Sequence, residues 1–382
     1  MIDAESAIAN VRRAVERIRN GGMVIMVDDE DRENEGDLVY AAECSTPSLI
    51  NFMVKEARGL VCLALEPALV DRLKLPLMAD SSGRLSNQTT AFTVSIEARH
   101  GVSTGISAAD RNHTIRVAID DQTLASDIVV PGHVFPLKAR SGGVLERAGH
   151  TEGSVDLARL ARFKGAGVIC EIMNDDGSMA RMPELKAFAA KHEIPMLAIA
   201  DLIQFRLMHE SLVRVVSQKP VRTSHGTFEG VVFESTVDGS RHFALVKGHE
   251  FGDKLVDVRV HSQRPLVDVF GDPDKAGRMR IEYGLTMLSE SDRGVLVYLS
   301  TARSGDRFAS DLDDLAAEAR DGSEHIGGSS TGMDLRLHGT GAQIVRSLGV
   351  RKMRVHATSP KSLKGLSGFG LEVVETIVIR DQ

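Results

Sequence analysis

The sequence contains no tryptophan, only 4% aromatic residues and three cysteines among its 382 residues. Its cores must therefore be assembled from Val, Leu, Ile, Met and Ala. Cys44, Cys62 and Cys170 are odd in number, widely spaced and never in a CxxC pair, which argues against a disulfide framework and a cysteine-rich zinc site. No apolar stretch approaches the roughly 18 residues that span a bilayer. The opening MIDAESAIANVRRAVERIRNGG lacks the apolar centre of a signal peptide. Basic charge is not in excess: a net charge of −7 argues against a general nucleic-acid or anionic-membrane binder, but leaves room for a basic pocket for one phosphate. A reduced, cytoplasmic protein is expected.

What is present is an alternation of short apolar runs and helical periodicities. Ala7, Val11, Val15 and Ile18 recur at helical spacing, and Gly21-Gly22 ends that helix. Met23–Val27 reads as a buried strand running into Asp28-Asp29. Ser48–Arg58, Leu157–Lys164, Glu184–His192 and Asp201–Leu207 read as helices, Gly167–Ile172 and Pro195–Ile199 as strands. The polar, basic stretch Glu210–Pro220 suggests a boundary near 210. Beyond it, Thr227–Ser235, His242–Val246, Leu255–Val260, Val295–Leu299 and Met353–Ala357 read as strands and Ala342–Leu348 as a helix. Two domains are expected, 1–209 and 210–382, each mixing helices and strands. Gly327–Ser330 reads as a loop, not a phosphate cradle, since no strand ends directly before it.

The chemistry gathers in the first domain. DDEDRENEGD, Asp28–Asp37, places seven carboxylates around Arg32. Such a run can be a solvated loop. Following a buried strand, it can also gather at a sheet edge, where a hard divalent cation relieves the repulsion. Arg32 could hold a substrate hydroxyl or phosphate. In ERAGHTEGSVDLARL, Gly149 permits a tight turn, and Arg147, the Thr151 hydroxyl and backbone N–H groups could cradle a phosphate. His150 could ligate a metal, shuttle a proton or simply face solvent. PGHVFPL sets His133 between prolines, and VICEIMNDDG sets Glu171 in an apolar strand, pointing outward or into a pocket as an acid or base.

The segments DDEDRENEGDL, INFM, GLVCLAL, GISAADR, PGHVFPL, RAGHTE and VICEIMNDDG, in this order, resemble 3,4-dihydroxy-2-butanone 4-phosphate synthase over about the first 205 residues. The resemblance implies an α+β sandwich, a homodimer with active sites at the subunit interface, and a lyase taking D-ribulose 5-phosphate to its four-carbon product and formate. It implies Mg²⁺, with Mn²⁺ as an alternative, and no organic cofactor. Carried over by motif, the metal ligands fall on Glu33 and His150. Substrate contacts fall on Arg32, Glu33, Asp37, Arg147, Ala148, Gly149, His150, Thr151 and Glu171, and catalytic positions on His133 and Glu171. Cys62 matches a family cysteine near the substrate, and is equally readable as a buried thiol. Ala148 stands where some relatives have a second Arg, so a contact there must come from backbone. His113 also departs from the small or Thr residues common there.

VRVHSQRPLVDVFGD, GAQIVRSLGVRKMRV and GLSGFGLEVVE resemble GTP cyclohydrolase II. That family holds a catalytic zinc on three cysteines, whose places fall on Arg264, Lys275 and Gly277, and no cysteine follows Cys170. TARSG, Thr301–Gly305, replaces the family's Gln-Glu-Gly-Arg-Gly segment. Asp334 with Arg336, and Arg259, His261 and Ser262, retain parts of the family pattern. The resemblance implies a second α/β domain that has lost its zinc site. Retained GTP hydrolysis on a rebuilt site, nucleotide binding, or a dimerisation role are the alternatives.

Overall fold

The computed structural model describes residues 4–29, 32–78, 90–270, 277–300, 331–358 and 369–379. The chain divides into two compact units, Met1–Phe205 and Arg206–Gln382. Both are α+β, each a seven-stranded sheet with helices.

In the first unit the strands are β1 (Val24–Val27), β2 (Gly36–Ala41), β3 (Cys62–Leu65), β4 (Ile96–Ala98), β5 (Ile128–Lys138), β6 (Ala166–Glu171) and β7 (Met196–Ala198). Their order is β4-β5-β3-β6-β2-β1-β7. The β1–β7 and β3–β5 pairs are parallel and the others antiparallel. The helices are α1 (Ala4–Arg19), α2 (Pro47–Phe52), α3 (Pro67–Arg72), α4 (Ala108–Ile119), α5 (His150–Leu160), α6 (Met182–His192) and α7 (Ile199–His209), which runs into the second unit.

The buried stripe of α1 is Ala7, Val11, Ala14 and Ile18. Val15, expected in that stripe, sits at its margin. The wholly buried β1 explains its unbroken apolar run, since each fully buried Val or Ile contributes about 1.5–3 kcal/mol. Helix α5 is buried from His150 to Ala158. It lies close on the sheet because Gly153 and Gly167 have no side chain: an added Cβ would lie 2.4 Å from Met26 Sδ and 2.7 Å from Ser154 Cβ, respectively. Helix α2, capped by Thr46, continues as one π-helical turn, Met53–Ala57, and ends on Arg58 in the left-handed region. That wide turn sets Gly59 and Leu60 against the end of β6.

The second unit has strands β8 (Val213–Thr223), β9 (Gly226–Ser235), β10 (Arg241–Lys247), β11 (Gly252–Ser262), β12 (Gly294–Leu299), β13 (Val350–Ala357) and β14 (Glu372–Val378), ordered β14-β13-β11-β12-β10-β9-β8. Its helices are α8 (Pro265–Phe270), α9 (Gly277–Glu290) and α10 (Thr331–Ser347). Phe233, Val256, Val258, Val295, Val297 and Ile344 centre its core. The polar, basic stretch Glu210–Pro220, read as marking a boundary near 210, largely forms β8. It is an edge strand, which accommodates Pro220 and a mostly exposed, polar face. Lys275, Thr301–Gly305 and Gly327–Ser330 lie outside the described residues.

Candidate active site

Asp28 directly follows β1, and its carboxyl is only 1% exposed. It accepts hydrogen bonds from the backbone N–H of Glu33 (3.1 Å) and Glu35 (2.8 Å) and from Arg32 Nη1 (2.7 Å). One buried carboxylate thus folds residues 32–35 back over the strand end. Arg181 holds the same segment from outside, donating to the carbonyls of Glu33 and Asn34. Arg32 grips the Glu33 carboxylate at 2.7 and 2.9 Å.

His150, the first residue of α5, is buried beside this loop. Its Nδ1 lies 3.8 Å from Glu33 Oε2 and 3.9 Å from Asp37 Oδ1. One donor atom each from Asp28, Glu33 and His150 lie within 4.8 Å of one another. Burial pushes Asp37 up to about 7, against the pull of His150. Burial would depress His150, but Asp37, Glu33 and Asp28 outweigh it and raise the imidazole to about 9. The nearby His150 imidazole, opposed by burial and aided by Arg32, holds Glu33 at about 2. Asp37 Oδ1 and His150 Nε2 are buried without a hydrogen-bond partner among the described residues. Hard oxygen donors, an imidazole and two orphaned buried polar atoms suit a divalent cation.

Glu171 ends β6 opposite Asp37 on β2. Its carboxylate turns back to accept the Leu60 N–H at 2.8 Å. Gly59 makes that approach possible, since an added Cβ would fall 2.3 Å from the Glu171 carbonyl oxygen. His133 lies near the middle of β5, within the 130–133 segment that the shift in β4–β5 register leaves unpaired with β4. Its partner is Glu97 on β4, with Nδ1 donating at 3.0 Å.

The RAGHTE turn differs from the expected open cradle. Arg147 is buried, donating to Glu152 Oε2 (2.7 Å) and Thr90 Oγ1 (2.9 Å). Gly149 is needed beside it, because an added Cβ would lie 2.3 Å from Arg147 Nη1. Ala148 is half-buried and Thr151 is buried in the first turn of α5. Cys62 is a buried thiol, which burial pushes up. Asp28, Glu97 and Arg181 were not singled out from sequence. Only Asp28 carried a signal there, as the first charge after an apolar strand.

In the second unit, Asp268 accepts from His261 Nε2 (2.9 Å), Tyr298 (2.7 Å) and the Arg264 N–H (2.9 Å). Arg259 donates to the His356 carbonyl at 3.0 Å. Asp334 and Arg336 lie on α10.

Carboxylates, an imidazole and an arginine converging at one end of strands β1, β2 and β6 equip an enzyme to move protons at neighbouring oxygens. A family model described as 3,4-dihydroxy-2-butanone 4-phosphate synthase matches residues 12–205, and one described as GTP cyclohydrolase II matches residues 213–378. The chain belongs to the 3,4-dihydroxy-2-butanone 4-phosphate synthase family, lyases of riboflavin biosynthesis, and carries a second domain of GTP cyclohydrolase II type. It is 46% identical to a 3,4-dihydroxy-2-butanone 4-phosphate synthase of Pseudomonas aeruginosa, over 97% of this chain and 98% of that one. It is 47% identical to the riboflavin biosynthesis protein RibBA of Aquifex aeolicus, over 97% and 92%. RibBX, a two-domain 3,4-dihydroxy-2-butanone 4-phosphate synthase from A. baumannii, matches in structure with a TM-score of 0.78 at 39% identity, over 97% and 99%. No described helix is long and apolar enough to cross a membrane.

Proposed function

We propose that this protein converts D-ribulose 5-phosphate to 3,4-dihydroxy-2-butanone 4-phosphate and formate, using Mg²⁺ with Mn²⁺ able to replace it. The observation that carries this reading is the meeting of Asp28, Glu33 and His150 donor atoms within 4.8 Å, with buried Asp37 beside them. Glu33 and His150 would hold the ion, Asp28 flanking them. The ion supplies Lewis-acid stabilisation of negative charge on adjacent substrate oxygens.

Excising an internal carbon as formate needs enolisation, loss of water and skeletal rearrangement, each moving protons at neighbouring oxygens. Asp37, at about 7, changes protonation near neutral pH and suits a group that takes and returns a proton at a substrate hydroxyl. Arg32, next to Glu33, holds a second hydroxyl. Glu171, fixed by Leu60, and His133 serve as acid and base. The phosphate sits at the start of α5, on backbone N–H groups of Ala148 and Thr151, and shares Arg147 with Glu152 or displaces it.

The protein acts as a homodimer in the cytoplasm. His133 is 43% exposed and its surroundings include exposed Ile106 (55%) and Val130 (54%), a face that a second copy would cover. Residues 210–382 form the second domain, which holds no zinc and does not hydrolyse GTP. Arg264, Lys275 and Gly277 offer no thiolate, and the Asp268 carboxyl is already committed to His261, Tyr298 and Arg264. Incubation with ribulose 5-phosphate and Mg²⁺ should release formate, and incubation with GTP should not. Formate from GTP would reverse the reading of the second domain.

A further inference from the structure

We propose that Glu97 is the positioning residue for His133, fixing its ring and its tautomer, and that GISAADR braces Glu97. This rests on the assignment of His133 to acid–base work. Three separate features of the backbone build the pair.

First, the β4–β5 pairing breaks there: Ile96 pairs with Val134, but Glu97 pairs with Val129. Residues 130–133 of β5 are thereby extruded opposite the Ile96–Glu97 junction. Second, Gly132 is pressed onto that junction. An added Cβ would lie 2.0 Å from the Ile96 carbonyl oxygen, and the Gly132 N–H is tied to Ser95 Oγ at 3.2 Å. Third, Gly105, at φ +87°, runs so close over Glu97 that an added Cβ would lie 1.5 Å from its Oε1. The Gly105 turn is held in place by Asp110, which accepts from Ser103 N, Ser103 Oγ and Gly105 N at 3.1, 2.7 and 3.1 Å.

Pressed between these segments, the Glu97 side chain is only 13% exposed, whereas His133 is 43% exposed. Glu97 Oε2 and Oε1 stand 3.0 and 3.4 Å from His133 Nδ1. A carboxylate at that place holds the proton on Nδ1 and leaves Nε2 as the basic, outward nitrogen. The buried member of the pair is the orienting one and the exposed member the reacting one. GISAADR thereby acquires a purpose: its glycine admits the carboxylate and its aspartate anchors the turn.

The test compares Glu97→Gln, Glu97→Asp and His133→Gln in the full-length protein with ribulose 5-phosphate and Mg²⁺, alongside ¹⁵N imidazole spectra. Glutamine can donate to Nδ1 and so favours the other tautomer. Glu97→Gln should lower kcat by about 10²–10⁴-fold with little change in KM, and should move the His133 proton from Nδ1 to Nε2. Glu97→Asp should recover part of the rate. A wild-type ring protonated on Nε2 overturns the proposal whether or not any variant folds. So does near wild-type kcat in Glu97→Gln when His133→Gln is inactive. Full activity of His133→Gln would instead overturn the reading of His133 itself, and the wild-type tautomer would still decide whether Glu97 sets the ring.

Discussion

Replacing Asp28 by asparagine should weaken the metal site about 100-fold without unfolding the protein. Three hydrogen bonds converge on this carboxylate, from Glu33 N, Glu35 N and Arg32 Nη1. Asparagine can keep its carbonyl oxygen where Oδ2 accepts from Glu33 N and Arg32 Nη1, so the Glu35 bond is lost and the other two, no longer charge-assisted, fall to about half, together equivalent to about two bonds to a charged group. At about 1.5 kcal/mol each, the lower end for bonds to a charged group, the loss is about 3 kcal/mol. Every 1.4 kcal/mol is about tenfold, and only the ordered loop presents Glu33 to the ion. The apparent Mg²⁺ Kd should rise in proportion as that population falls. All three bonds lie within residues 28–35, so global unfolding should hardly move. Calorimetric Mg²⁺ titration and the Mg²⁺ dependence of formate release measure the effect, with Asp29→Asn as the control. Mg²⁺ affinity within about threefold of wild type in Asp28→Asn would refute the reasoning.

Mg²⁺ binding should release protons near neutral pH, because a ligating imidazole must be neutral and His150 stands at about 9 without the ion. Affinity should therefore climb by up to about tenfold per pH unit toward pH 9, and calorimetry in buffers of different ionisation enthalpy checks the proton count. A pH-independent affinity would contradict it. Gly59→Ala should push Glu171 off the Leu60 N–H, costing about 1–3 kcal/mol of stability together with turnover, measured by thermal unfolding and by formate release. Protein purified from zinc-containing medium should carry no stoichiometric zinc by elemental analysis. Bound zinc lost on deleting residues 210–382 would contradict the reading of the second domain.

The parts legible in the sequence were those whose cause is local. β1 is apolar throughout because it is buried throughout, and α1 shows its stripe because one face is covered. β2 escaped notice because it begins inside the acidic run, where charge count conceals the change from loop to strand. β8 was not read as a strand, because an edge strand need not alternate apolar and polar residues.

The site divides in the same way. Glu33, His150 and Asp37 were reachable through their motifs, and the structure brings them together. Asp28 was hidden among its neighbours, since burial and three donors, not residue type, distinguish it. Glu97 lies 36 positions from its imidazole partner, and only the break in β4–β5 register makes them neighbours. Arg147 looked like a free phosphate ligand, because nothing in RAGHTE announces that Glu152 takes its guanidinium.

The most direct measurement is formate released from ribulose 5-phosphate by the full-length protein, before chelation, after EDTA and after Mg²⁺ is restored. The expected result is turnover that vanishes and returns with Mg²⁺, and that Glu33→Ala and His150→Ala both abolish. Formate release surviving exhaustive chelation, or undiminished in either variant, would contradict the assignment of the Asp28–Glu33–His150 cluster as the metal centre.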